Sequence, residues 1–198
     1  SVPVLPGDVM MNCNMDYDSI AKAGSMLGSG AVIVMDETTD MVVALRRISR
    51  FYFSESCGQC TPCREGTGWM YRVLTRIIEG KGRPEDITML EDVSHKIEGR
   101  TICALGEAAA MPVWSFIKHF RPEFESHVVE KVCPGGVCKP LIHFEVTQDC
   151  IGCTKCATNC PVDCISGSIK QLHLIDTSSC IKCGVCKNIC PVDAIITI

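Results

Sequence analysis

The sequence has no apolar run long enough to cross a bilayer and no signal-peptide or lipidation pattern. Its basic residues form no patch and its formal charge is −4, which argues against a nucleic-acid partner. No side-chain pattern for acid–base catalysis or for a substrate pocket stands out. The glycine pair Gly28-x-Gly30 precedes an apolar run instead of following one, so it reads as a turn and not as a phosphate loop. What the chain has in excess is cysteine: 16 in 198 residues. In a short secreted chain such a share suggests disulfides. Here the spacing points to metal, which needs a reducing compartment, and the expected location is the cytoplasm without membrane insertion.

Eight of these cysteines form two copies of one pattern. Cys150, Cys153, Cys156 and Cys160-Pro161 are followed by Cys180, Cys183, Cys186 and Cys190-Pro191. Each copy reads C-x2-C-x2-C-x3-C-P, the run of bacterial two-cluster ferredoxins. Two residues between cysteines let one tight loop aim three thiolates at a cube, while turned backbone N–H groups offset the negative charge. The fourth cysteine of each run serves the other cluster. One 4Fe–4S cluster is therefore expected on Cys150, Cys153, Cys156 and Cys190, and another on Cys180, Cys183, Cys186 and Cys160. Cys164 has Ala194 as its counterpart and reads as a small buried residue. Between the runs, 169–176 reads as a short strand.

Upstream, 1–38 suggests a helix near Asp18 to Met26 and an apolar strand from Ala31 to Met35. The opening Ser1 to Pro6 reads as an entry into mid-domain, so a fragment of a longer polypeptide is expected. From Thr38 the period becomes helical, with Thr38, Thr39 or Asp40 as N-cap. Further helices follow Pro62, run from Pro84 to Gly99, and include Pro112, Val113, Phe116 and Phe120. Short loops make these an antiparallel four-helix bundle. Cys57, Cys60 and Cys63 lie on its first loop and Cys103 on its third. Up-and-down topology brings those loops to one end, completing a third 4Fe–4S site. A linker at 127–144 follows, rich in Gly and Pro. There His127, Cys133 and Cys138 have zinc-ligand chemistry, with His143, His119 or Cys13 as candidates for a fourth position and unliganded thiols as the alternative.

The stretches SVPVLP, MDYDS, AVIVMD, ESCGQCTPCREG, KIEGRTICALGEAAAMPV and HFRPEFE strongly resemble the flavoprotein, NADH-oxidising subunit of respiratory complex I and its soluble NAD-linked relatives. The resemblance covers about residues 1 to 126. It implies the end of a ubiquitin-like β-grasp segment over 1–38, and a helical bundle over 39–126 with one 4Fe–4S cluster on Cys57, Cys60, Cys63 and Cys103. It also implies an FMN reduced by NADH upstream of this segment. The appended 145–198 is foreign to the ordinary complex I subunit. It resembles the extension of electron-bifurcating, ferredoxin-linked hydrogenases.

The expected fold is thus mostly α followed by α+β: a β-grasp remnant, a cluster-bearing bundle, a linker and a two-cluster ferredoxin domain. The expected function is electron transfer between an FMN site outside the segment and ferredoxin or a partner subunit. The cofactors expected are three 4Fe–4S clusters and zinc, with FMN and NAD(H) only on the missing part. A thioredoxin-like 2Fe–2S subunit and a catalytic iron–sulfur subunit are the partners implied by the resemblance. The alternatives are a variant of the respiratory subunit and a zinc-binding interaction protein. Three clusters would bring the charge to roughly −10.

Overall fold

A short helix, α1 (Gly7–Met11), comes first. Two aspartates then start helices as short carboxylates do, by accepting an N–H of the first turn. Asp16 Oδ1 takes Ser19 N at 2.7 Å and opens α2 (Tyr17–Lys22). Asp40 Oδ1 takes Val43 N at 2.8 Å and opens α3 (Met41–Glu55). The computed structural model describes residues 2–198, which form two compact units divided between Gly135 and Gly136.

In the first unit α3 is followed by α4 (Thr61–Arg76), α5 (Glu85–Ile97) and α6 (Ala104–Glu125). Pro62 sits in the first turn of α4, where its missing N–H costs nothing. Gly80, at φ 75°, ends the helical path after α4. α3 packs on α4 and α6, and α5 packs on the same two, which closes a four-helix ring. Val42, Leu45, Leu74, Ile77, Leu90, Val113, Ile117 and Phe124 fill its centre and are buried. Each such side chain contributes about 1.5–3 kcal/mol by leaving water. α4 approaches α5 closely at Gly66, where a Cβ would lie 2.6 Å from Ile97 Cδ1. Asp86, 1% exposed, is held by Arg76 and by Arg83 N at 2.9 Å.

Two expectations change here. Ala31 to Met35 is extended but unpaired: Val32, Ile33 and Val34 are exposed, and no strand is found in residues 2–38. An apolar run becomes a strand only when a neighbour accepts its backbone groups, and no described residue does. The linker also does not start at 127. Ser126–Glu130 continues α6 as a wider helical turn, with His127 and Val128 buried on the first unit.

The second unit is built on two short antiparallel pairs. β1 (Phe144–Val146) pairs with β4 (Ile195–Thr197), Phe144 facing Thr197. β2 (Ile165–Ser166) pairs with β3 (Leu174–Ile175), so only the end of 169–176 is strand. One-turn α7 (Lys155–Thr158) and α8 (Val185–Ile189) carry the third cysteine of each run. The repeat is visible in the backbone. Gly152 and Lys182, Thr154 and Gly184, and Asp163 and Asp193 are matched positions, and all six have φ between 49° and 77°. Left-handed residues at fixed offsets from the cysteines fold each loop inward. Among the described residues no helix is long and apolar enough to cross a membrane.

Candidate iron–sulfur and metal sites

Cys60 and Cys103 occupy the positions just before α4 and α6, Cys57 lies in the loop before Cys60, and Cys63 lies in the first turn of α4. Ile102 N donates to Cys60 Sγ at 3.3 Å, so the third loop of the bundle lies against the first. A Cβ on Gly106 would lie 2.4 Å from Thr101, which shows how tightly the Cys103 loop turns into α6. Ser56 Oγ lies 3.4 Å from Cys63 Sγ, and Arg64 Nη1 donates to Gly58 O at 3.2 Å, bracing the loop. Four cysteines thus stand at one end of the bundle, where two helix N-termini converge. Their partial positive charge suits an anionic thiolate cluster.

The second unit has two cavities, and their linings cross the repeats. One is lined by Cys150, Cys153, Cys156 and Cys190, the other by Cys180, Cys183, Cys186 and Cys160. Most of the remaining wall is apolar, including Val146 and Ile195 in the first and Phe144 and Ile175 in the second, and the first also has Lys155. Backbone N–H groups reach the sulfurs: Lys182 N donates to Cys180 Sγ at 3.4 Å, and Ala194 N to Cys190 Sγ at 3.3 Å. Burial pushes the matched thiols Cys156 and Cys186 up. Soft thiolates, N–H donors and an apolar wall together fit an iron–sulfur cluster.

Each cavity has one further ligand-type residue. Cys164 Sγ lies 3.5 Å from Cys160 Sγ. Its burial, its hydrogen bond to Cys160 and the charge of Cys180 push it up to about 12, so it keeps its proton. His173 lines the cavity of Cys150, is fully buried, and was not singled out by any spacing.

A different group forms on the first unit. His127 Nδ1 lies 2.8 Å from Glu123 O, which fixes the ring and leaves Nε2 3.0 Å from Asp40 Oδ2. Cys133 Sγ donates to the same oxygen at 3.0 Å. The ligand atoms of Asp40, His127 and Cys133 lie within 4.8 Å of one another, and all three residues are buried. Burial alone would push His127 down; hydrogen bonds to Asp40, Cys133 and Glu123 O outweigh it and lift the ring to about 10. Burial works against the Asp40 carboxylate too, but bonds from His127, Cys133 and Val43 N hold it below the usual range. Among the first unit's residues Asp40 stands with His127 and Cys133, and Cys13 and His119 do not join the group. The Cys13 thiol donates to the neighbouring Asn14 O at 3.5 Å. His143 and Cys138 belong to the second unit, Cys138 buried just before a one-turn helix at Lys139–Leu141.

Helical and small-sheet units, each carrying grouped cysteines, divide the chain, and the family comparisons fall on the same division. Residues 43–127 match the NADH-ubiquinone oxidoreductase-F iron–sulfur binding region, and residues 145–198 match the 4Fe-4S dicluster domain. The chain's homologues are the F subunits of NADH-quinone oxidoreductases and NAD+-reducing hydrogenase, matched in their C-terminal part. It is 56% identical over 130 residues to the NADH-quinone oxidoreductase F 1 subunit of Rhizobium meliloti, covering 66% of this chain and 30% of that protein. It is 54% identical over 128 residues to the mitochondrial NADH dehydrogenase [ubiquinone] flavoprotein 1 of Dictyostelium discoideum, covering 65% and 27%. A crystal structure of NAD+-reducing [NiFe]-hydrogenase in the H2-reduced state superposes with a TM-score of 0.50 at 31% identity, over 53% of this chain and 18% of that one. The chain thus spans less than a third of the length of these relatives.

Proposed function

We propose that this chain is an electron-transfer module of an NAD(P)H-linked flavin and iron–sulfur oxidoreductase subunit. It would relay electrons between an FMN site outside this segment and ferredoxin or a partner subunit. The complex we favour is a soluble one of bifurcating hydrogenase or formate dehydrogenase type, in a reducing compartment such as the cytoplasm. Its partners would be a thioredoxin-like 2Fe–2S subunit, a catalytic iron–sulfur subunit and ferredoxin. The β-grasp assignment of 1–38 rests on the resemblance alone.

The observation that carries this reading is the pair of cavities in the second unit, each lined by three cysteines of one repeat and the fourth of the other. When bound, 4Fe–4S clusters supply one-electron redox chemistry over a wide range of potentials. The protein supplies thiolates, N–H donors and exclusion of water. Cys57, Cys60, Cys63 and Cys103 would hold the third cluster. Anaerobic preparation should give about twelve irons and matching sulfide per chain, four per cluster. About eight would remove the bundle site, and a colourless zinc protein would remove the reading altogether.

Zinc is proposed on Asp40, His127 and Cys133, with Cys138 offered as the fourth ligand by its short spacing from Cys133. A carboxylate oxygen, an imidazole nitrogen whose other ring atom is fixed by a carbonyl, and a thiol are zinc-ligand types in a buried place.

A respiratory assembly is the second reading, favoured by the 56% identity to a component of an NADH-quinone oxidoreductase. The subunits that co-purify decide between the two.

A further inference from the structure

The arginines that show no patch in the sequence are gathered by the fold. From Met41 to Arg76 the chain has six arginines against two glutamates, in a protein whose formal charge is −4. Arg64 is paired with Glu65 and Arg76 with Asp86. Among the described residues no carboxylate pairs with Arg46, Arg47, Arg50 or Arg72. Three of these four lie along one seam between α3 and α4. Arg46 Nε donates to Thr75 Oγ1 at 3.1 Å, and its guanidinium lies 5.4 Å from the centre of the Tyr71 ring. Tyr71 stacks on Phe53, with centres 5.9 Å apart and planes at 18°. Gly68 makes room for this: a Cβ there would lie 2.9 Å from Phe53 Cε2 and 3.1 Å from Arg72 Nη1. Arg50 stands one helical turn from both Arg46 and Phe53, on the same side of α3.

Arg50, Phe53, Trp69 and Arg72 are exposed, Phe53 by 41% and Trp69 by 52%. Trp69 sits one turn before Arg72 on α4. Trp, Tyr and Arg are the side chains that most often carry the binding energy of an interface. A guanidinium held against an aromatic ring presents its N–H fork to a carboxylate in a fixed plane. Permanent interfaces are more apolar than this, and burying unpaired arginines is costly, so a charge-steered, transient encounter fits the face better. The seam also adjoins the cysteine end of the bundle. Phe53 is four residues before Cys57, and Gly68 is five after Cys63, about 8 Å along α4.

We propose that this face of α3 and α4, through Arg46, Arg50, Phe53, Trp69 and Arg72, docks an acidic ferredoxin that exchanges electrons with the bundle cluster. The inference rests on the electron-transfer reading above and adds the place where the mobile carrier binds. Each four-iron cluster with its thiolates brings about −2, so a small carrier holding two is negative before its own carboxylates are counted. Opposite charges steer the encounter, and the aromatic seam gives it a fixed place. One electron passes in each encounter: the ferredoxin cluster is oxidised as the bundle cluster is reduced, or the reverse. A nucleic acid would answer the charge of the face but not its position beside the cysteines.

The test uses the full chain with its clusters and a purified two-cluster ferredoxin as the probe. Arg50→Glu together with Arg72→Glu reverses two exposed charges. Iron content and the spin-resonance spectrum of the bundle cluster should stay native, and a small neutral reductant should reduce that cluster at the native rate. The second-order rate with ferredoxin at low salt should fall about tenfold or more, and its salt dependence should flatten. A ferredoxin carrying lysines in place of surface carboxylates should restore the rate in the variant, which a damaged bundle would not allow. Native protein supplies a readout that needs no variant: in the complex as purified, an arginine-specific dicarbonyl should modify Arg50 and Arg72, and added ferredoxin should protect them. Protection without ferredoxin would show that a neighbouring subunit or another part of the polypeptide covers the face, and would overturn the proposal. Unchanged ferredoxin rates with native iron, or an oligonucleotide held by the native chain and lost in the variant, would overturn it equally. Absence of iron from the native chain would instead sink the electron-transfer reading itself.

Discussion

The first unit buries eighteen apolar side chains in one contiguous core, whereas the contiguous core of the second holds six, and three of those are cysteines. Helices of 13 to 22 residues form the first, and strands of two or three residues form the second. The bundle can therefore stand on packing, with its four cysteines added at one end. The second unit cannot: domains near 60 residues are marginal on apolar burial alone, and those with short elements need staples. Here the cluster ligands occupy the place that leucine and isoleucine hold in the bundle. Folding and cofactor binding should be one event in the second unit and separable events in the first.

The largest effect should come from removing iron. Anaerobic chelation should abolish hydrogen-exchange protection at 144–146 and 195–197 while the amides of α3 and α4 stay protected. Equal loss in both units would erase the distinction drawn here. A smaller effect confined to the bundle should follow from Asp86→Ala, which leaves Arg76 and Arg83 N without their carboxylate. Breaking a buried ion pair costs about 3–5 kcal/mol; because Arg76 is 36% exposed, the low end is expected. Thermal melts of the apo bundle should show it, with the cluster spectra of the second unit unmoved. Gly66→Ala comes next, since its Cβ meets Ile97 at 2.6 Å. Overpacking of this kind costs about 1–3 kcal/mol, and denaturant melts should place it on the first unit alone.

The Asp40–His127 pair gives a pH signature. His127 is raised to about 10, so its contribution to the metal-free protein is complete below its ordinary 6.5 and is lost as pH climbs to 10. Asp40 is lowered, so its contribution is present above 3.8 and is lost as pH falls below that. Zinc takes the imidazole and the two thiols without their protons, so uptake at pH 7 should release about three, and affinity should rise with pH. Calorimetry in buffers of different ionisation enthalpy counts them; uptake without proton release would exclude His127 and Cys133 as ligands. The smallest effect should be Cys164→Ala, since Ala194 already fills the matched, buried position. About 1 kcal/mol or less is expected from so small a truncation, with all clusters retained by spectroscopic inventory.

The crossed grouping of cysteines around the two cavities was legible because its information is local: fixed offsets put three thiols on one tight loop, and the repeat doubles the signal. The bundle was legible from apolar period and loop length. Asp40 was read as a cap candidate, which it is through Oδ1. Its second oxygen meets residues far along the chain, and no spacing encodes that meeting. His173 lay inside a stretch read as strand, and only burial and a missing partner mark it. Ala31 to Met35 misled because composition records apolarity and not whether a pairing edge exists.

The central claim is that the second unit is held together by crossed ligation, and Cys190→Ala tests it most directly. Ala194 lies four positions beyond it, so no neighbouring thiol can replace the lost ligand as Cys164 could beside Cys160. Residue-assigned paramagnetic NMR of the cysteine β-protons reads which cluster each cysteine still touches. The account predicts damage to the cluster of Cys150, Cys153 and Cys156, with Cys180, Cys183, Cys186 and Cys160 still on a four-iron cluster. Damage at Cys180 with an intact site at Cys150 would contradict it.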